Sequence, residues 1–323
     1  MQFPVSGVEI SPIIPPLVAF LVSSVTASAG VSGAFLLLPF QVSVLHFTSP
    51  AVSPTNLIYN IVAIPGGLYR YIQEKRMAWQ LTWVVVIGTL PGVFAGAWIR
   101  IHYLPDPRAF KFFVGLVLLY LGYRLVSDVM GWNKKIKEQH EHLEKKFAEQ
   151  IARIKEQDSH RVAAGLPPEA IVKTKSFSLH RIEFEFWGET YSFSTPVIFF
   201  LALAVGLIGG IYGIGGGAII APFCVSVCGL PVYTVAGAAL AGTFLTSIAG
   251  VAYYHILEIT AAKGGNAIAP DWALGALFGI GGLLGTYVGA YFQKFMPEKL
   301  IKAILAILVT FLALNYIIKF FVR

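Results

Sequence analysis

Two short glycine-rich runs carry the strongest chemical signal in this 323-residue sequence. The first is Ala27-Ser-Ala-Gly-Val-Ser-Gly33. The second is Gly206-Leu-Ile-Gly-Gly-Ile-Tyr-Gly-Ile-Gly-Gly-Gly217. Glycine destabilises a helix by about 1 kcal/mol per residue relative to alanine, so a cluster this dense breaks the helix that contains it. A break frees backbone amides. In an apolar medium such amides persist only where they are buried in protein or line a cavity. Peptide N–H groups at a helix end, helped by the helix dipole, hold anions without any Lys or Arg. The donor positions are Gly30 and Gly33 in the first run, and Gly213, Gly215, Gly216 and Gly217 in the second. Each run is followed by a proline six residues on, Pro39 after Gly33 and Pro222 after Gly216. The competing explanation is close helix packing, which glycine also permits.

Polar side chains lie a short distance after each run. They are Thr55, Asn56, Tyr59 and Asn60 after the first, and Thr243, Thr246 and Ser247 after the second. Hydroxyls and amides can donate to anion oxygens, or they can bond between helices. Asn56, Asn60, Thr243, Thr246 and Ser247 join the glycines as candidate substrate-binding residues. His255 and Glu258 are a candidate proton-coupling pair, because ionisable groups within a membrane are costly and usually functional. Their place near a segment boundary also fits residence among lipid headgroups. No nucleophile–base pair, metal motif or nucleotide loop is present, so neither an enzyme nor a cofactor is expected. His140-Glu-His142 has the wrong spacing for one helix face. Cys224 and Cys228 form neither a disulfide framework nor a zinc site.

Those residues must be positioned by membrane helices. The chain is 56% hydrophobic and 13% charged, against about 25% charged in a soluble domain. Of its 41 charged residues, 21 fall between Asn133 and Thr190. The rest of the chain cannot cover a water-facing surface. No charge occurs between Glu9 and Arg70, or between Glu189 and Glu258. A crossing needs about 20 apolar residues, so each run holds two or three. The expectation is eight hydrophobic segments near 16–45, 50–72, 78–100, 108–130, 196–228, 231–257, 271–293 and 299–321. The N-terminus lacks a positive region before its apolar stretch and reads as mature sequence. Trp79, Trp83, Trp98, Tyr103 and Trp272 read as interfacial aromatics.

The two groups of four segments match each other. At an offset of 183, Gly30 falls on Gly213, Gly33 on Gly216, Leu57 on Leu240, Asn60 on Thr243 and Gly67 on Gly250. After an insertion near 261–270 the offset becomes 193, pairing Gly88 with Gly281 and Gly92 with Gly285. Duplication with glycine-interrupted segments at matching positions points to a secondary transporter with its site at the repeat interface. If each broken segment crosses, the repeats are parallel. If each re-enters, they are inverted. The Lys and Arg balance across the loops is equal either way.

The fold class is therefore an all-α polytopic membrane protein of two homologous four-segment repeats, each with a Gly-broken first segment. Residues 1–132 form membrane repeat 1 and 196–323 membrane repeat 2. Residues 133–195 form a polar connector, taken as cytoplasmic. Its 134–161 stretch reads as a helix, and Arg181–Trp187 with Thr190–Phe193 as a small β-hairpin. The connector holds 11 basic and 10 acidic residues, which argues against nucleic-acid binding despite a chain charge of +7. It serves as a solvated linker, or as a regulatory or dimerising element; a homodimer is allowed.

Gly209-Gly-Ile-Tyr-Gly-Ile-Gly-Gly-Gly-Ala-Ile-Ile-Ala-Pro222, Leu230-Pro-Val-Tyr-Thr-Val-Ala-Gly-Ala-Ala-Leu240 and Thr246-Ser-Ile-Ala-Gly250 together resemble the TauE/SafE family of sulfite and organosulfur anion exporters. It is also called the toluene-sulfonate uptake permease family. In the first half, Ser32 and Ala34 stand where that family usually has glycines. The resemblance implies a multi-pass transporter of a small anion in a bacterial-type cell membrane, with sulfite, sulfonates and related acids as substrates. Its partners are then that anion and membrane lipid. A passive anion channel, and a scaffold or sensor signalling through the connector, are the alternatives.

Overall fold

The computed structural model describes residues 1–28, 32–73, 77–131, 172–186, 188–226, 228–230, 232–261, 267–292 and 298–322. Within them the first half forms α1 (Ile14–Ser28), α2 (Ala34–Ser43), α3 (Val52–Ala63), α4 (Pro65–Gln73), α5 (Trp79–His102) and α6 (Pro107–Met130). A small sheet follows, with β1 (Lys173–Phe177), β2 (Arg181–Phe186) and β3 (Glu189–Ser194). The second half forms α7 (Thr195–Tyr212), α8 (Gly217–Ser226), α9 (Val232–Ala261), α10 (Trp272–Phe292) and α11 (Glu298–Phe321). Among the described residues, five helices are long and apolar enough to cross a membrane: α5, α6, α7, α9 and α11. The apolar stretches of α1, α2 and α10 are shorter. The expected helix over 134–161 lies outside the described residues.

Local chemistry sets the boundaries. Asp106 caps α6, its carboxylate accepting from the Ala109 N–H at 2.9 Å, and Pro107 occupies the first turn. Proline suits that position because its missing N–H has no helical partner there. Gly131, at φ +68°, ends the same helix in the left-handed region. Asp271 caps α10 through the Leu274 N–H at 3.1 Å. It also accepts from the Ser6 hydroxyl at 2.8 Å, which ties the N-terminal segment to this helix start. The 50–72 segment is divided between Ala63 and Pro65 into α3 and α4, because proline cannot donate to the preceding turn.

Contacts between helices fix their directions. Gln80 on α5 bonds Thr174 of β1, so α5 begins at the end of the bundle that carries the sheet. α7 starts there too, directly after β3. α5 and α7 run parallel, with Gly88 against Phe199 and Gly96 against Leu207. At the far end, Arg100 reaches the Ser49 carbonyl and the Ala51 N–H bonds Ala267. α3 and α10 start at that end and run parallel, with Gly275 against Thr55 and Ile58, and Gly279 against Val62. α5 and α10, equivalent by sequence offset, therefore point in opposite directions. α6 and α11 pack antiparallel, Gly115 facing Tyr316 and Gly122 facing Thr310.

The close approaches exchange partners under the sequence offsets. A Cβ on Gly88 falls 2.8 Å from the Phe199 carbonyl oxygen, and one on Gly281 falls closer still to that of Pro16. Gly92 sits against Leu203, and Gly285 against Phe20. Gly67 faces Leu240, and Gly250 faces Leu57. The loops after α2 and α8 repeat as well. Phe47 donates to Gln41 at 3.0 Å and Leu230 to Cys224 at 3.2 Å, and both turns place one residue left-handed, His46 at φ +56° and Gly229 at φ +64°. The most extensive helix pairs are α5 with α7, α1 with α10, and α6 with α11. Exchanging the halves carries the first pair into the second and the third into itself.

The sheet is antiparallel in the order β1-β2-β3. β2 and β3 form the expected hairpin, with Phe186 paired to Glu189 and Gly188 at φ +75°. Ile182, Phe184 and Phe186 alternate inward and are buried. β1, which pairs with β2 across a register shift near Ser176, was not read from the sequence: Lys173-Thr-Lys-Ser-Phe177 has no inward apolar face and is exposed throughout.

The aromatic residues expected at the interfaces lie outside the bundle. Trp79 and Trp83 project near the sheet end of α5, and Trp98, Tyr103 and Trp272 near the far end. The 24 residues of α5 span about 36 Å at 1.5 Å per residue, enough for a hydrocarbon core of about 30 Å.

Candidate functional site

The second glycine run builds a hairpin turn inside the bundle. α7 ends at Gly213, whose φ of +85° needs a residue without a Cβ. Its N–H donates to Gly209 at 2.8 Å, and the Ile214 N–H donates to the same carbonyl at 3.2 Å. Gly215, at φ +72°, is a second left-handed residue two positions on. The chain thus turns back on itself. α8 runs toward the sheet end, where α9 begins with Gly237 against Met77 and Tyr71. Proline in α8 follows the turn at Pro222, and Pro39 stands at the matching place in α2.

Side chains from both halves hold this turn. From α3, Ser53 donates its hydroxyl to the Ile211 carbonyl at 2.8 Å. Asn56 donates to the Gly213 carbonyl and to the Ala34 carbonyl, each at 3.0 Å. Asn60 donates to the Ile214 carbonyl at 3.1 Å and to the Ser247 hydroxyl at 3.4 Å. From α9, the Thr246 hydroxyl accepts from the Gly216 N–H at 3.1 Å, and Tyr254 donates to the Gly210 carbonyl at 2.9 Å. Gln41 on α2 donates to the Asn56 amide oxygen at 3.2 Å. Every one of these side chains is buried. The Gln41 and Asn60 amide oxygens have no hydrogen-bond partner.

The candidate glycines of the second run and the candidate polar residues therefore lie together. The amides point at carbonyls of the turn, and the Thr246 hydroxyl takes up one of its N–H groups. The glycines are also tightly surrounded. A Cβ would meet Thr89 side-chain atoms at 2.5 Å from Gly216, Thr243 Cγ2 at 2.9 Å from Gly215, and Thr243 Oγ1 at 2.5 Å from Gly217. On Gly213 it would meet the Ser53 backbone. The turn is closed in this conformation.

The first run differs. Gly30 lies outside the described residues. Gly33 is covered by the phenol of Tyr59, whose oxygen lies 2.7 Å from a Cβ built there. Tyr59 hydrogen-bonds Ser23 at 2.9 Å, and its ring lies against Gly282. By sequence offset, Tyr59 matches Gly242 and Gly282 matches Thr89. The large and small residues have changed places between the halves, so a tyrosine lies against Gly33 and a threonine against its match, Gly216.

His255 and Glu258 lie away from the Gly213–Gly217 turn. Their side chains are 58% and 33% exposed on the outer face of α9, 3.9 Å apart. Ser53, Thr89, Gln41 and Tyr254 are the site neighbours that sequence reasoning missed. Each is a polar residue within a largely apolar helix, and nothing in its spacing separates it from an ordinary interhelical contact. Among the described residues no group of three His, Cys, Asp or Glu can hold a metal.

Residues 16–316 match the model of the family described as sulfite exporter TauE/SafE. No curated protein and no solved structure matches the chain.

Proposed function

The chain belongs to the TauE/SafE sulfite exporter family, and on that premise we propose that it is a secondary transporter of a small anion: sulfite, a sulfonate or a related organosulfur acid. The carrying observation is the closed glycine turn at Gly213–Gly217, gripped from α3 by Asn56 and Asn60 and from α9 by Thr246. The Gly216 peptide N–H is the donor, held by the Thr246 hydroxyl until an anion takes that hydroxyl's place, while Asn56 and Asn60 support the turn through its carbonyls. Gly213, Gly215, Gly216, Gly217, Asn60, Thr243, Thr246 and Ser247 make up this half of the site. Gly30 and Gly33, with Asn56 between the halves, make up its counterpart, with Tyr59 as the plug.

We read the architecture as two inverted repeats, residues 1–132 and 196–323. Each contains a re-entrant helical hairpin, α1–α2 or α7–α8, followed by three crossings. The exchanged close approaches and the opposed directions of α5 and α10 support this. Inverted repeats let a closed site open to one side and then the other. A turn packed this closely argues against a permanently open pore. The sheet and the connector at 133–195 are assigned to the cytoplasmic side of a cell membrane.

Reconstituted vesicles test the function. Sulfite or sulfoacetate flux above that of protein-free vesicles, saturating with concentration, is expected. Absence of flux for every small sulfur anion, from protein that is folded and inserted, contradicts the reading.

A further inference from the structure

Arg100 is fully buried, at 0% exposure, near the far end of α5. One terminal nitrogen donates to the Leu104 carbonyl and the other to the Ser49 carbonyl at 3.4 Å. The guanidinium carbon lies 3.7 Å from the centre of the Phe110 ring. The Nε–H has no partner. No ion pair joins Arg100 to a described acidic residue. The Ser49 hydroxyl, on the loop whose carbonyl Arg100 touches, is likewise buried without a partner. A guanidinium cannot shed its proton in a protein, and a buried charge without a counterion is strongly disfavoured. The fold nonetheless encloses this one, and both its own Nε–H and the hydroxyl of Ser49, whose carbonyl it touches, go unused.

Its position links it to the glycine turn. Gly96, one helical turn before Arg100, packs against Leu207, Gly210 and Ile211, and Tyr254 donates to the Gly210 carbonyl. Ser53, four residues after Ser49, holds the next carbonyl, that of Ile211. Arg100 thus lies one helical turn beyond the contact of α5 with the residues that lead into the second break.

We propose that Arg100 and Ser49 form a buried oxyanion subsite at the end of the bundle opposite the sheet. Arg100 Nε–H and the Ser49 hydroxyl are its donors, and a small sulfur oxyanion supplies the missing negative charge. The choice of ligand rests on the transporter reading above. The subsite holds the anion at one mouth of the route, next to the turn that must move to admit it. A purely structural Arg100, clamping two carbonyls, needs no anion.

The test is thermal unfolding of the purified full chain in detergent, with sodium sulfite, sulfate, acetate or chloride, alongside sulfite flux in vesicles. Sulfite should raise the melting temperature of the wild type by mass action. Arg100→Gln should remove that rise. Ser49→Ala should raise the half-saturating sulfite concentration about tenfold, the expected loss of one hydrogen bond to a charged group. If Arg100→Gln does not fold, Ser49→Ala and Arg100→Lys decide; the lysine keeps the charge but lacks the Nε donor, and should also weaken sulfite binding. Wild-type flux with no anion-dependent stabilisation, or stabilisation unchanged in both Ser49→Ala and the Arg100 variants, overturns the subsite and leaves the transport reading standing. Stabilisation by chloride or sulfate through Arg100, with no flux of any sulfur anion, keeps the subsite and overturns the transport reading.

Discussion

The Asn60 side-chain amide donates to the carbonyl of Ile214 at 3.1 Å, across 154 positions of sequence. One turn earlier on α3, Asn56 does the same for Gly213. Two residues of the first half thus satisfy the broken backbone of the second. Their matches at the 183 offset are Ala239 and Thr243, neither of which carries an amide. Asn56→Ala leaves the Gly213 and Ala34 carbonyls buried without this donor. A loss of about 1–3 kcal/mol per unsatisfied group is expected. Asn60→Thr, which copies the equivalent residue, should cost less than Asn60→Ala. Melting temperatures in detergent check both.

The exchanged glycines predict matched phenotypes. Gly92→Val drives a side chain into the Leu203 carbonyl, and Gly285→Val drives one into that of Phe20. Overpacking against backbone, which cannot rotate aside, should cost about 3 kcal/mol or more. Each should sharply reduce the yield of monodisperse protein, and to similar extents. A severe effect at one site and none at the other contradicts the equivalence.

His46 stands at φ +56° on an exposed loop, where its partner in the second half is Gly229. A left-handed side-chain residue is strained by about 1–2 kcal/mol, while glycine loses about 0.5–1 kcal/mol in the unfolded chain's favour. His46→Gly should therefore stabilise the protein by up to about 1 kcal/mol, measured as a higher melting temperature.

The ends of the bundle can be assigned by labelling. With Cys224 and Cys228 replaced by alanine, a cysteine at Ser178, in the exposed turn between β1 and β2, should react only with a reagent on the cytoplasmic side. A cysteine at His46 should react only from the opposite side. Labelling of both from one side contradicts the assignment of helix directions.

The glycine pairs were legible in the sequence because close packing leaves a periodic residue-type signature. Leu57 with Leu240 and Gly67 with Gly250 align by simple offset, and in the fold each leucine faces the other half's glycine. The closeness of the Asn residues to the second turn was also within reach. Its sense was not, since an amide carries both donor and acceptor and only the partner decides which is used. Parity was hidden because α1 and α2 are each apolar whether they cross or return. Arg100 escaped notice because a charge in the last turn of a helix normally reaches the headgroups, and only the packing of Phe110 and the 44–51 loop shows it enclosed.

The most direct test is sulfite flux into vesicles carrying Gly216→Ala, compared with wild type at equal inserted protein. The added methyl meets the Thr89 side chain at 2.5 Å, at the one turn N–H held by Thr246. Transport through a mobile turn at Gly213–Gly217 predicts at least a tenfold loss of flux in a protein that still inserts and unfolds cooperatively. Wild-type flux from that variant would place the route elsewhere in the molecule.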